Sequence, residues 1–123
     1  MKRTALLAIA AALACASTSP AAEPASTRVT IDAVFLASGE TQWAGDIFSS
    51  RKVCKDDRRV LILRARPGDD EQVGATRSYR GISQPGYYWT FAKTGAAPSG
   101  NYYARVKPTD QCEGDRSSTL AGP

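Results

Sequence analysis

From residue 28 onward, apolar and polar positions alternate with a period of two, and no segment sustains a helical period. Residues 28–35 put Val29, Ile31, Ala33 and Phe35 on one face. A turn at Ser38-Gly39-Glu40 leads into residues 43–49, where Trp43 and Ile47 share a face with the small Gly45 between them. After a turn at Lys55-Asp56-Asp57, residues 59–64 are apolar on both faces, the pattern of a strand central in its sheet. Pro67-Gly68-Asp69-Asp70 reads as a turn, because proline presets the first corner and glycine and aspartate accept the rest. Residues 73–78 form a short polar strand, and 81–86, with Pro85, a loop. Residues 87–91 and 101–107 are expected to pair as a hairpin across the Gly/Ala/Pro loop 93–100, with 117–120 as a short last strand. Seven short strands punctuated by Gly, Pro and Asp predict an all-β, antiparallel β-sandwich.

The amino terminus follows a different pattern. Met-Lys-Arg-Thr precedes an unbroken apolar run from Ala5 to Ala14, followed by small and polar residues, which is the three-part form of a signal peptide over 1–22. The run is too short to cross a bilayer as a helix, which takes about 20 residues. No second apolar stretch follows it. Ala14-Cys15-Ala16 and Ser19-Pro20-Ala21 both offer small residues to a signal peptidase. Ala12-Leu13-Ala14-Cys15 also resembles a bacterial lipobox, with Ala12 and Leu13 departing from its usual sizes. Cys15 is therefore either an incidental residue of the signal or a lipidation site, and the sequence fits both. In the second case the Pro/Ala/Ser/Thr-rich residues 17–27 would tether the domain to a membrane. The expected organisation is signal peptide 1–22, short linker 23–27 and one domain over 28–123, in an extracytoplasmic compartment.

Export changes the reading of charge and cysteine. Removing Lys2 and Arg3 from the 16 basic residues leaves 14 against 12 acidic ones, a net charge of +2. The signs are interspersed, as in residues 52–59, so the sequence offers no basic footprint for nucleic acid. With Cys15 removed or lipidated, Cys54 and Cys112 remain, and an oxidising compartment predicts that they pair. Cys112 follows a Pro108-Thr109-Asp110-Gln111 turn, so the bond should tie the start of one strand to the loop before the last. Closing so long a loop restricts the unfolded chain by about 4 kcal/mol in the chain-entropy account.

The order of several weak motifs points to a family. Trp43-x-Gly45-x-Ile47-x-Ser49 is followed by Cys54, Arg59-Val60-x-Ile62-x-Arg64, Pro67-Gly68 and Val73-Gly74. Then come Gly86 before an aromatic strand, Gly100-x-Tyr102-Tyr103-Ala104-x-Val106 and Cys112-x-x-Asp115-x-Ser117. This order, over residues 43–120, resembles the small secreted bacterial domains of the transthyretin-like, or carboxypeptidase regulatory-like, β-sandwich type. The resemblance implies a sandwich outside the cytoplasm and no catalytic residues; the Ser83-Gln84-Pro85 insert departs from the pattern and leaves the register of 87–91 open.

Candidate chemistry is sparse. Histidine is absent, which removes Ser-His and Cys-His nucleophile arrangements and every histidine metal site. No Gly-x-Ser-x-Gly elbow occurs, and Lys52, Lys55, Lys93 and Lys107 read as turn or edge positions. Asp56-Asp57, Asp69-Asp70-Glu71 and the group Asp110, Glu113, Asp115 lack the spacing of a calcium loop and suit solvated turns. No catalytic residue, metal site or cofactor is expected. What remains is aromatic crowding late in the chain. If Trp89, Phe91, Tyr102, Ala104 and Val106 face the core, Tyr88, Tyr103 and Arg105 face outward, a group suited to stacking on a glycan or to a protein contact. Ordinary cross-strand packing would use the same residues. The expected function is an exported, non-catalytic module binding a protein or an envelope glycan, with a scaffold-like envelope accessory, lipid-tethered or not, as the alternative.

Overall fold

The computed structural model describes residues 23–123. Ten strands are distributed between two antiparallel sheets. Sheet I holds β1 (Thr27–Val29), β2 (Ala33–Ala37), β3 (Glu40–Ser49), β7 (Tyr87–Thr94) and β6 (Tyr79–Arg80), with β1 and β2 both against β3 and then β7 and β6. Sheet II holds β4 (Arg59–Arg64), β5 (Glu71–Arg77), β8 (Asn101–Val106), β9 (Asp115–Arg116) and β10 (Leu120–Ala121), in the order β10-β8-β4-β5 with β9 also on β8. A 3₁₀ turn at Lys52–Cys54 precedes β4. The chain is thus an all-β sandwich, and β4 is central, between β5 and β8, as its two apolar faces require.

The core lies between the sheets. Val29, Ile31, Trp43, Ile47, Val60, Ile62, Trp89, Tyr102, Ala104 and Val106 are buried in one cluster. Trp43 meets Tyr102 edge-on at 5.5 Å and Phe91 at 5.6 Å. The Trp89 indole N–H donates to the Thr30 carbonyl at 2.9 Å, while among the described residues Trp43 Nε1 has no acceptor. Two glycines make room for these rings. A Cβ on Gly45 would lie 2.0 Å from the Thr30 oxygen, and one on Gly74 would lie 2.2 Å from the Phe91 ring. The β2–β3 hairpin turns through Ser38 and Gly39, both with positive φ (53° and 77°), the two-residue turn whose twist matches paired strands.

Three sequence expectations change. The alternation predicted through 28–35 breaks into two strands. Val29 pairs with Ile47 but Ala33 with Ala44, so three residues oppose two and a bulge shifts the pleat by one. The Thr30 and Asp32 amides still donate to the Asp46 and Ala44 carbonyls. Beyond the bulge Val34, not Ala33 and Phe35, packs on the core, and Phe35 is 43% exposed. The 87–91/101–107 hairpin does not form, because β7 pairs with β3 and β6, whereas β8 pairs with β4, β9 and β10. Residues 95–100 instead cross between the sheets. They are held by the Thr41 hydroxyl, which donates to the Gly95 carbonyl and accepts from the Ala97 amide, and by the Tyr102 hydroxyl donating to the Pro98 carbonyl. Finally, the linker 23–27 is folded from Ala25 onward. Its amide donates to Gln111 O at 2.9 Å and its carbonyl accepts from the Glu113 amide at 2.8 Å.

Candidate functional site

Cys54 and Cys112 are bonded, with Cα atoms 5.5 Å apart, and with Ala25 they form a second small buried cluster at one end of the sandwich. The bond joins the 3₁₀ turn before β4 to the loop between β8 and β9, and a disulfide there is consistent with an extracytoplasmic location. Cys15 lies outside the described residues.

The expected surface of Tyr88, Tyr103 and Arg105 is not one surface. Tyr88 is in sheet I and the other two in sheet II, so their outward faces point to opposite sides of the sandwich. Tyr88 is half-buried and supports the 81–86 loop: its hydroxyl donates to Pro85 O at 2.7 Å and its ring lies 6.4 Å from that of Tyr79. Tyr103 occupies the outer face, as alternation requires, yet it is only 4% exposed. The Arg116 guanidinium covers its ring at 3.8 Å, and its hydroxyl donates to Asp70 Oδ2 at 2.5 Å. That hydroxyl, followed by the Arg66 amide, holds the Asp70 carboxyl below the usual aspartate range. Burial first, and then Asp70, pushes the Tyr103 hydroxyl up. Arg105 is exposed as expected.

Around Arg105 the sheet gathers cations that are scattered in sequence. Val60, Ile62, Tyr102, Ala104 and Val106 point inward, so Arg59, Leu61, Tyr103, Arg105 and Lys107 point outward. Arg59 lies directly opposite Arg77 on β5, and Arg105 directly opposite Arg116 on β9. Lys107 follows Arg105 by two residues, which puts it level with Arg59 because Leu61 pairs with Arg105. All five cations are exposed. Of these, Arg77 alone has a carboxylate within ion-pair distance among the described residues, Asp57 at 3.8 Å, while the Asp70 carboxyl on the same face is lowered by the Tyr103 hydroxyl first and in part by Arg116. Like charges directly opposite one another across strands are destabilising. The mixed charge of the linear sequence is therefore segregated by folding into a cationic face.

The face ends in a cleft of about 520 Å³ beside the disulfide, lined by Arg58, Arg59, Leu61, Arg77, Lys107 and the 108–112 loop. Arg58 is buried, at 6% exposure. Its guanidinium donates to four neutral acceptors: Thr27 Oγ1 at 3.3 Å, Cys54 O at 3.0 Å, Lys107 O at 2.8 Å and Glu113 O at 3.1 Å. No carboxylate pairs with it among the described residues, and burial lowers its pKa.

The carboxylates do not gather into a site of their own, and Asp57 and Asp110 line the cleft among the cations. Asp115 accepts the Val29 amide at 2.8 Å, Asp70 accepts the Arg66 amide and the Tyr103 hydroxyl, and among the described residues no three His, Cys, Asp or Glu side chains converge as a metal site. No described helix is long and apolar enough to cross a membrane. Fold and site together define an all-β sandwich with one disulfide and one strongly cationic sheet face. No family model matches the chain, and no curated protein matches it. Sequence reasoning found Arg105 but missed Arg59, Arg77, Lys107 and Arg116. The period-two spacing of Arg59 with Leu61 and of Arg105 with Lys107 was the available signal, and it needed the strand order to become a patch.

Proposed function

We propose that this protein is an exported, non-catalytic module of the cell envelope that holds an anionic, phosphate-bearing membrane surface against the outer face of sheet II. The observation that carries this reading is the pair of directly opposed arginine couples, Arg59–Arg77 and Arg105–Arg116, with Lys107 beside them. Such an arrangement costs stability in the isolated fold and is relieved by an anionic surface. Each cation near such a surface is worth about 1 kcal/mol. Among the described residues this face is a sheet surface that presents no α-helix or projecting ribbon to enter a nucleic-acid groove, which favours a lipid surface over a duplex. The amino-terminal signal supports export, and lipidation at Cys15 would keep the domain beside the same membrane. The order of motifs over 43–120 supports a transthyretin-like, carboxypeptidase regulatory-like domain, a type without catalytic residues.

The test is co-sedimentation with vesicles of phosphatidylcholine alone or mixed with an anionic phospholipid, across a salt series. Binding should require the anionic lipid, weaken steeply with salt and weaken further in Arg105→Gln/Arg116→Gln. Equal binding to neutral vesicles would refute the reading. Tighter binding to duplex DNA than to the anionic vesicles would replace it with a nucleic-acid function.

A further inference from the structure

We infer that the cleft beside the disulfide is a discrete binding site for a phosphate monoester, gripped by Arg59, Arg77 and Lys107 in front of the buried Arg58. The inference rests on the proposed membrane reading only for the source of the phosphate; the site itself stands on the cleft.

Three neighbouring strands deliver the grip. Arg77 and Arg59 are register partners on β5 and β4, and Lys107 extends β8 at the same level. Adjacent strands lie about 4.8 Å apart, so three cationic side chains rise from one short row. Behind them the Arg58 guanidinium is fixed by four hydrogen bonds, all to neutral oxygens. A buried cation without a counter-ion has lost its water and gained no opposite charge, so an anion in the adjoining cleft is the missing partner.

The charge and the space select the ligand class. Four cations and two carboxylates, Asp57 and Asp110, line the cleft, leaving a net charge of +2. A phosphate monoester carries about −1.5 to −2 at neutral pH on three acceptor oxygens. A carboxylate brings half that charge and fewer acceptors. The cleft, at about 520 Å³, is of a size with small-molecule sites and larger than a bare phosphate needs. Leu61, Pro108 and the exposed Val53 supply an apolar wall for the alcohol part of an ester.

The experiment is an amide NMR titration of the mature protein with inorganic phosphate and with glycerol 1-phosphate, at constant ionic strength, with acetate as the comparison anion. Saturable shifts confined to residues 57–61, 77 and 107–112 are expected, with glycerol 1-phosphate binding more tightly than phosphate and acetate failing to saturate. Arg59→Gln/Lys107→Gln should weaken binding by about tenfold or more, the scale of losing a charge-assisted contact. Arg105→Gln/Arg116→Gln should leave it unchanged. All four positions are exposed, so the variants should remain folded, which the spectra themselves report. Unsaturable shifts, shifts spread over the whole cationic face, or equal binding by acetate would overturn the inference. Vesicle binding without phosphate binding refutes this site and leaves the membrane reading intact. Phosphate binding without vesicle binding upholds the site, assigns it a free phosphate ester and removes the membrane reading.

Discussion

Tyr102 and Tyr103 are adjacent on β8 and both are buried, yet they belong to regions built on opposite rules. Tyr102 lies between the sheets, with its ring edge-on to Trp43 and among aliphatic side chains. Tyr103 lies on the outer face of sheet II, roofed by an exposed arginine and hydrogen-bonded to a carboxylate. The inner layer is arranged for packing, with glycines at 45 and 74 opening space for rings. The outer face sets arginine opposite arginine. Packing alone accounts for the first region. The second sets like charges opposite one another, a pairing that disfavours the isolated sheet and that the proposed anionic surface would relieve.

The largest expected difference separates the two tyrosines. Tyr102→Ala removes a side chain with no accessible surface and should cost about 3–5 kcal/mol. Tyr103→Ala should cost less, because the exposed Arg116 can settle into the gap, whereas nothing between the sheets can. Urea unfolding of both variants measures this. Equal losses would erase the distinction between the regions.

A second inner-layer change acts by crowding. In Gly45→Ala the added carbon meets the Thr30 carbonyl, the same oxygen that accepts the Trp89 indole. The backbone of the bulge must move, which should cost about 1–3 kcal/mol. An unchanged urea midpoint would show that the bulge yields freely.

The same positions show why part of the molecule was legible and part was not. Alternation alone assigns Trp43, Ile47, Tyr102, Ala104 and Val106 to the core, because a pleat repeats every two residues whatever its partner; the inward faces of 59–64, apolar on both sides, and of 87–91, with its register open, came only with the structure. The disulfide follows once Cys15 is set aside with the expected amino-terminal signal, since only Cys54 and Cys112 then remain. The bulge at 30–32 was hidden, since its partners are β3 and an indole that reaches the Thr30 carbonyl from 59 residues away. The sheet assignment of β7 was hidden for a related reason: a short loop between two strands allows either a hairpin or a crossover. The cationic face was hidden most completely. Arg77 and Arg59, or Arg105 and Arg116, become neighbours only through register, which no local pattern encodes.

A smaller effect probes the outer face through pH. The depressed Asp70 carboxyl contributes stability above the usual aspartate range and loses it as pH falls through its lowered value. The raised Tyr103 hydroxyl contributes stability below the usual tyrosine range and loses it as pH rises through its raised value. Tyr103→Phe should abolish the tyrosine part of the alkaline loss and shrink the acid one, because the Arg66 amide still supports Asp70. Urea midpoints across pH would test this. Identical acid and alkaline limbs in the two proteins would mean that the pair contributes nothing.

The smallest effect has the most informative sign. Arg59 and Arg64 stand at the two ends of β4. Arg64 donates to Glu71 at 3.1 Å and is part-buried, so Arg64→Gln should lower stability slightly, by up to about 1 kcal/mol. Arg59 has no carboxylate partner among the described residues and faces Arg77 directly. Arg59→Gln should therefore raise stability, by about 0.2–1 kcal/mol at low salt. Salt should erase that gain, since screening already relieves the repulsion in the parent protein. The same substitution should weaken attachment to anionic vesicles. A residue whose removal strengthens the fold and weakens binding is placed for the ligand. If Arg59→Gln instead destabilises the protein as Arg64→Gln does, the opposed arginines are ordinary sheet surface, and the two faces of β8 differ in exposure alone.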